Sequence, residues 1–253
     1  YVGHGWTSGP LGFSADGWGH MTDEDIPEDK RRLLAEINGK RGFFGGTPLN
    51  TNLCYSNPEA RSLIAEAIAS YSAEHPEVHY LHFWLGDAMN AHCECANCRV
   101  KTPSDWYMIQ LNEIDEELTR RKIATRVVFI AYLDTIWAPE REALKNPERF
   151  TLLFAPISRS YTETLPDSIG DFKTAPFVLN KNVLPKNLAE NFAYLEDWKK
   201  NWHGANVAYE YHFWRHQYYD LGGIFISRLI NDDVRGYKKY DVNGIIEDGS
   251  QRS

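Results

Sequence analysis

Two apolar runs decide the fold class of this 253-residue chain, His79-Tyr-Leu-His-Phe-Trp-Leu85 and Arg126-Val-Val-Phe-Ile-Ala-Tyr132. Both have the length and the β-branched or aromatic content of a buried strand. Between them, Ser104 is a predicted cap for a helix that runs to about Arg121. Its apolar side chains recur at helical spacing, at Tyr107, Leu111, Ile114 and Leu118. Strand, helix and strand in this order predict a βαβ unit and a parallel sheet.

The same alternation continues outward in both directions. Further strands are predicted at Tyr1–Thr7, Phe150–Pro156, Ala205–Phe213 and Asp241–Ile246, and further helices near residues 28–37, 57–71 and 188–202. About six strands are recognisable where a closed (β/α)8 barrel needs eight. We therefore predict one α/β domain over residues 1–253, a TIM-type barrel that is incomplete or has trimmed ends.

Composition excludes several classes of protein. Hydrophobic residues at 43% and charged residues at 25% are a globular mixture, and no run of 18 uncharged apolar residues could form a membrane span. The net charge of −8 provides no basic face, so no nucleic-acid partner is expected. The 13% share of aromatic residues exceeds what a core needs and favours a cleft that stacks sugar rings.

The four cysteines indicate a metal site. Cys93, Cys95 and Cys98 form a C-x-C-x-x-C cluster, and Cys54 is the remaining thiol. Consecutive βα loops of a barrel are neighbours, so the four can meet. Four thiolates with no open position are typical of structural zinc. Two disulfides are the alternative for a secreted protein, although the close spacing leaves little room for them. A cluster that docks a partner protein is a third, weaker interpretation.

A lone cysteine followed about forty residues later by C-x-C-x-x-C resembles the zinc cluster of family 42 β-galactosidases. Those enzymes are (β/α)8 barrels of the large clan of retaining glycosidases. In that clan an acid/base carboxylate ends strand 4 and a nucleophilic glutamate ends strand 7. The resemblance therefore implies a glycoside hydrolase with Asp87, which ends the strand before the cluster, at the acid/base position.

A resemblance that covers most of the chain rests on Asn38-Gly-Lys-Arg41, Leu53-Cys-Tyr-Ser-Asn-Pro-Glu59, Gly86-Asp87 and the cysteine cluster. These phrases are similar to the bacterial domain of unknown function 4838, whose members are regarded as glycoside-hydrolase-like. In that family the barrel follows a separate N-terminal domain. The resemblance implies that Tyr1–Thr7 is about strand 3 and that Asp241–Ile246 is strand 8.

Counted in this way, Asp87 ends strand 4 and Glu210 ends strand 7, as general acid/base and nucleophile respectively. Period two places Glu210 on the small, polar face of its strand with Asn206 and Ala208, which suits a barrel lumen. The plain alternatives are a helix-capping role for Asp87 and an ion pair of Glu210 with Arg159 or Arg215. Where the clan has Asn-Glu, this chain has the shorter Asp87, so retaining and inverting mechanisms both stay open.

Other polar and aromatic side chains near strand ends are predicted sugar contacts, although any one of them could be core. They are His4, Trp6, Trp84, Asn90, Tyr132, Arg159, His212, Trp214 and Glu247. The resulting hypothesis is an extracytoplasmic bacterial glycoside hydrolase, periplasmic or secreted, acting on a poly- or oligosaccharide. The alternative is a catalytically silent barrel that binds carbohydrate.

Overall fold

A computed structural model describes residues 3–13, 19–214, 220 and 222–249 of the chain. It has the mixed helices and parallel strands that the sequence predicts. The helices are α1 Glu28–Arg31, α2 Pro58–Glu74, α3 Pro103–Arg120, α4 Leu188–Lys199 and α5 Ile224–Tyr237. The strands are β1 Glu36–Ile37, β2 Lys40–Arg41, β3 Tyr80–His82, β4 Arg126–Ala131, β5 Phe150–Phe154, β6 Ala205–Glu210 and β7 Ile245–Glu247.

The chain divides into two compact units. The first comprises Tyr1–Phe129, Pro139–Phe150 and Phe177–Asn182, and the second comprises Ile130–Ala138, Thr151–Pro176 and Val183–Ser253. Each unit contains one of the two groups of side chains described below as candidate sites.

Five parallel strands follow one another in the order β3-β4-β5-β6-β7, which confirms an α/β fold. In the first unit Leu81 of β3 pairs with Val127 of β4. In the second unit Glu210 of β6 lies in register with Glu247 of β7, so these two acids end neighbouring strands at one edge. The described residues supply five parallel strands, and a complete eight-stranded barrel stays a prediction.

The predicted strand at Tyr1–Thr7 is wrong over the part that the structure describes, where Gly3–Trp6 is a 3₁₀ turn. Gly3 has a φ of +55°, and a Cβ there would lie 2.2 Å from the ring of Trp84. Only glycine permits this left-handed bend beside an indole. Tyr1 and Val2 lie outside the described residues.

Local turn and capping chemistry explains further differences. The predicted helix at 28–37 ends at Arg31, and an Asn38-Gly39 turn with positive φ at both residues joins β1 to β2. Helix α3 is capped by Thr102 rather than Ser104, because Thr102 and Asp105 exchange hydrogen bonds in a capping box. Asn57 caps α2 as predicted.

Helix α5, Ile224–Tyr237, was not predicted from the sequence. Its first residues form an apolar run without a side-chain cap, and it begins after Gly223 with a φ of +64°. Among the described residues, no helix combines the length and the hydropathy that crossing a membrane requires.

We expect Phe154→Ala to lower the free energy of unfolding by about 3–5 kcal/mol, because it opens a cavity in the core. Phe154 is fully buried in β5, and its ring meets that of Phe192 in α4 edge to face at 5.5 Å. Urea denaturation measures the change. Phe172→Ala is the control, since Phe172 is 46% exposed and its loss should cost less than about 0.5 kcal/mol. Equal losses in the two variants would contradict this assignment of the core.

Candidate metal centre and carboxylate network

The four cysteines come together in the first unit through a small set of backbone contacts. The Cys54 N–H donates to Leu33 O at 2.8 Å, which places Cys54 beside the segment that leads into β1. The Glu94 N–H donates to Glu36 O at 2.6 Å, which fixes the C-x-C-x-x-C loop to the same strand. The β1-β2 hairpin therefore links the two cysteine-bearing segments.

The sulfur geometry is compatible with one metal ion, and no pair of sulfurs lies at disulfide distance. All four Sγ atoms lie within 4.8 Å of one another. Cys54 Sγ is 3.7 Å from Cys95 Sγ and 3.8 Å from Cys98 Sγ, far beyond the S–S bond length of about 2.05 Å. The four residues are free thiols in the structure. The predicted convergence is thus confirmed as a candidate metal site.

The surroundings of the sulfurs favour negative charge. The backbone N–H groups of Glu36 and Ser56 donate to Cys93 Sγ at 3.2 Å and to Cys98 Sγ at 3.4 Å. Hydrogen bonds from neighbouring thiols hold the pKa of Cys54 well below its ordinary value, while that of Cys93 is raised to about 11. The pKa of Cys95 is also lowered, by hydrogen bonds from its surroundings that outweigh burial. A bound cation would displace the protons that remain on the other thiols.

Asn90 and Asn180 anchor the loop that carries the cysteines. The Asn90 amide donates to Asn182 O at 3.1 Å and accepts from Asn182 N–H at 2.8 Å. Asn180 holds the backbone of His92 in the same way and also donates to Glu94 Oε1 at 2.9 Å. Asn90, a predicted sugar contact, thus has both ends of its amide engaged by the backbone of the first unit.

Asp87 follows β3 by five residues, and its side chain is 17% exposed. Its backbone N–H donates to Leu49 O at 2.8 Å, and His4 Nε2 lies 3.7 Å from Oδ1. Burial lowers the pKa of His4 despite the opposing charge of Asp87, so the ring is neutral at pH 7. On this side Asp87 therefore faces a neutral imidazole.

The two tryptophans predicted near this site differ in position. Trp6 is fully buried and donates its indole N–H to His82 O at 2.9 Å. Trp84 is half-buried and stands edge-on to His4, with ring centroids 5.0 Å apart. The structure therefore brings Trp84, His4 and Asp87 together and places Trp6 in the core.

Glu210, at the end of β6 in the second unit, is fully buried and bound by three donors. Arg159 Nη1 donates to Oε1 at 2.5 Å, and the Tyr237 hydroxyl donates to the same oxygen. The Tyr161 hydroxyl donates to Oε2 at 2.6 Å. The ion pair with Arg159 that the sequence left open is present, and Arg215, the other candidate, lies outside the described residues.

Asp233 of α5 connects this ion pair to a second one. Its Oδ2 accepts from Arg159 Nη2 at 2.8 Å and lies 3.0 Å from His212 Nε2. The other ring nitrogen, His212 Nδ1, is 3.0 Å from Glu247 Oε1. The side chains of Arg159, Glu210, Asp233 and His212 have no exposed surface, whereas that of Glu247 is 27% exposed. Sequence reasoning missed Asp233.

The charges of these groups support one another. Burial disfavours the imidazolium of His212, but hydrogen bonds to Asp233 and Glu247 outweigh it and raise the pKa to about 9. Burial likewise opposes the charge of Arg159, and the carboxylate of Glu210 outweighs that effect and raises its pKa. Burial beside Glu210 raises the pKa of Tyr161 and Tyr237, so both hydroxyls stay protonated donors.

Two predicted contacts of the second unit lie outside this network. Tyr132 is half-buried, and its backbone N–H donates to Thr135 Oγ1 at 3.2 Å at the start of a 3₁₀ turn. Trp214 is half-buried, with its ring 5.8 Å from that of Tyr211. The structure brings together Arg159, Glu210, His212 and Glu247 from the predicted set, and Tyr161, Tyr237 and Asp233 bind them.

One comparison with known proteins identifies a relative of this chain. The family described as domain of unknown function DUF4838 matches residues 26–253. No curated protein and no solved structure matches. The family match includes the four cysteines and all members of the carboxylate network.

We expect the purified protein to bind one metal ion per chain, because four converging thiolates saturate one tetrahedral ion. Cys98→Ser should remove most of this metal, as measured by inductively coupled plasma mass spectrometry. Ser56→Ala is the control, since Ser56 contacts Cys98 through a hydroxyl, 3.1 Å away, and supplies no thiolate. The thiols are also titrated in denatured protein that has not been reduced. If none can be titrated, the cysteines form disulfides and the assignment of a metal site is contradicted.

The raised pKa of His212 predicts a stability that falls in base. Its folded pKa of about 9 lies above the ordinary 6.5, so its contribution is complete below about pH 6.5 and is lost as the pH rises through 9. We expect the Tm advantage of the wild type over His212→Gln to be several degrees at pH 7 and to vanish by pH 10. Scanning calorimetry measures it. His203→Gln, at an exposed histidine, should show no such trend.

Proposed function

The chain belongs to the family described as domain of unknown function DUF4838, and from this premise and the geometry above we propose that it is a glycoside hydrolase. The substrate is a poly- or oligosaccharide. The observation that carries the proposal is the carboxylate of Glu210, held at the end of a parallel strand by one arginine and two tyrosines. Enzymes of this architecture place catalytic side chains at the C-terminal ends of strands.

The three donors suit a nucleophile. A carboxylate must be ionised to attack an anomeric carbon, and Arg159 is the counter-charge of Glu210 in this buried site. Tyr237 and Arg159 both bind Oε1, whereas Oε2 accepts from Tyr161 alone among the described groups. A carboxylate oxygen has two lone pairs, so the described donors leave one lone pair on Oε2.

In the proposed reaction Asp87 gives its proton to the leaving glycosidic oxygen while Glu210 attacks the anomeric carbon. The C–O bond to the leaving group breaks as the bond to Glu210 forms. Water, deprotonated by Asp87, then displaces Glu210 and restores both residues. The side chain of Asp87 is partly exposed, as a group that exchanges protons with substrate and water requires.

We propose that the metal of the cysteine cluster is a structural zinc ion. Four sulfurs about 2.3 Å from a zinc ion at tetrahedral corners lie about 3.8 Å apart. The two separations of 3.7 and 3.8 Å from Cys54 Sγ agree with that edge. With four protein ligands the ion has no open position for substrate, so its role is to fix the loop that follows Asp87.

A catalytically silent carbohydrate-binding protein is the second candidate. The observation that favours it is that Glu210 has no exposed surface and lies in an ion pair. A binding protein needs aromatic platforms but no reactive carboxylate. The half-buried Trp84 and Trp214 could serve it without any contribution from Glu210.

The test is hydrolysis of a panel of aryl glycosides and oligosaccharides by the wild type, Asp87→Asn and Glu210→Gln. We expect each variant to lower kcat by at least about 10²–10⁴-fold, because each removes a group that reacts. Proton NMR of the first-formed product reports whether the anomeric configuration is retained. The control is Glu148→Gln, which changes an exposed glutamate and should keep full activity.

Two outcomes would contradict the enzyme proposal. Wild-type protein that binds oligosaccharides but hydrolyses none of the panel would favour the binding protein. Unchanged kcat in folded Glu210→Gln or Asp87→Asn would remove that residue from the reaction, whatever activity the wild type has.

A further inference from the structure

The buried network of the second unit alternates in charge over its whole length. It runs from Glu210 through Arg159, Asp233 and His212 to Glu247, with each contact between 2.5 and 3.0 Å. The imidazolium form of His212 completes the alternation, and one negative charge remains in excess. The four inner groups are inaccessible to solvent, and only Glu247 reaches the surface.

If such a network served stability alone, the free-energy cost of burying its charges would be high. Removing paired charges from water costs about as much as their attraction returns, and apolar replacements of the same volume are often neutral or better. The network also lies at the ends of β6 and β7, where Glu210 and Glu247 are in register. Buried charges at this edge of a parallel sheet are more typical of a reaction site than of a core.

The geometry gives the two ends of the network different roles. At the inner end, Glu210 has three donors on its two oxygens. At the outer end, Glu247 is held from behind by His212 Nδ1, at 3.0 and 3.1 Å from its two oxygens. One edge of that carboxylate thus faces the ring, and its exposed surface remains for a ligand.

We propose that Glu247 is a substrate-contacting carboxylate of the same site as Glu210, and that Asp233 and His212 are positioning residues that fix it there. This inference rests on the proposed function for its substrate, a sugar whose hydroxyl groups donate to Glu247. Asp233 links the two halves of the network, because its carboxylate contacts both Arg159 and His212. His212, as an imidazolium, orients Glu247 through the contacts of Nδ1 with the two carboxylate oxygens.

The groups around His212 are mutually consistent with this charge state. Asp233 faces it from α5, Glu247 faces it from β7, and Glu210 adds its charge from the end of β6. Tyr161 packs edge-on against the ring at 5.2 Å. The nearby cation, Arg159, is itself shared between Glu210 and Asp233. Deprotonation of His212 would place three carboxylates around a neutral ring.

The first experiment follows the His212 ring by NMR between pH 5 and 11 in the wild type, Asp233→Asn and Glu247→Gln. We expect the midpoint to be near 9 in the wild type and to fall toward or below 6.5 in both variants, since each loses one counter-charge. Asp232→Asn is the matched control, one position earlier on α5 and exposed, and it should leave the midpoint unchanged. A wild-type midpoint near 6.5 would overturn the proposal.

The second experiment measures kcat and KM against pH on a substrate that the wild type hydrolyses. We expect Glu247→Gln to lower kcat/KM by about 10–100-fold, as for the loss of one charged hydrogen bond. Asp233→Asn should lower it about 10-fold and move the alkaline limb of the pH profile to lower pH, which general loosening of the fold would not do. If Asp233→Asn does not fold, Glu247→Gln still tests the link between His212 and Glu247, because Glu247 lies at the partly exposed end of the network.

The two experiments separate this inference from the proposed function. In one outcome the titration midpoint of His212 is raised in the wild type and lowered in both variants, but the protein hydrolyses no substrate. The connection from Asp233 through His212 to Glu247 would then stand, and the enzyme proposal would be contradicted. If Glu247→Gln hydrolyses substrate with an unchanged kcat/KM, the inference about Glu247 is contradicted and the enzyme proposal stands.

Discussion

The buried ion pair between Arg159 and Glu210 is the constraint on which the second unit depends. Neither side chain has exposed surface, so removing one would leave an uncompensated charge at a cost of about 3–5 kcal/mol. Satisfying the pair requires Tyr161 from the segment after β5, Glu210 from the end of β6, and Tyr237 and Asp233 from α5. One interaction thus fixes how three segments of this unit pack.

The cysteine cluster is the corresponding constraint in the first unit. Among the described residues, the β pairing around it consists of the short β1-β2 hairpin and an isolated bridge between Leu34 and Leu53. Such short ladders are marginal by themselves. The buried surface is also small, with Ala35 and three of the cysteines at its centre. A bound ion would replace the missing core, as metals do in small domains.

The sequence predicted the elements whose signal is local. Strands β4 and β5 are continuous apolar runs, and α2 begins at an Asn-Pro pair that caps a helix by known chemistry. Period two along β6 correctly placed Asn206, Ala208 and Glu210 on one buried face. The convergence of Cys54 with the three thiols of the C-x-C-x-x-C cluster was also predictable, because cysteine has few other uses at that spacing.

The remainder depended on contacts between residues far apart in the chain. Arg159 and Arg215 were equivalent partners for Glu210 in the sequence, and only the fold brings Arg159 within 2.5 Å. Helix α5 begins with an apolar run that resembles a strand, although Ile226, Leu229, Asp233 and Tyr237 have helical spacing. That spacing was the available signal for Asp233, an acid on the apolar face of a helix. Two adjacent aspartates in a charged segment otherwise look like solvated surface.

An aspartate on a buried face needs partners, and here those partners are the two cations that separate Glu210 from Glu247. A protein that only binds sugars through aromatic rings does not need a buried network of charges, whereas a reaction that develops charge at the end of a strand does. The network is therefore consistent with the proposed catalytic role, even though Glu210 at its inner end is buried.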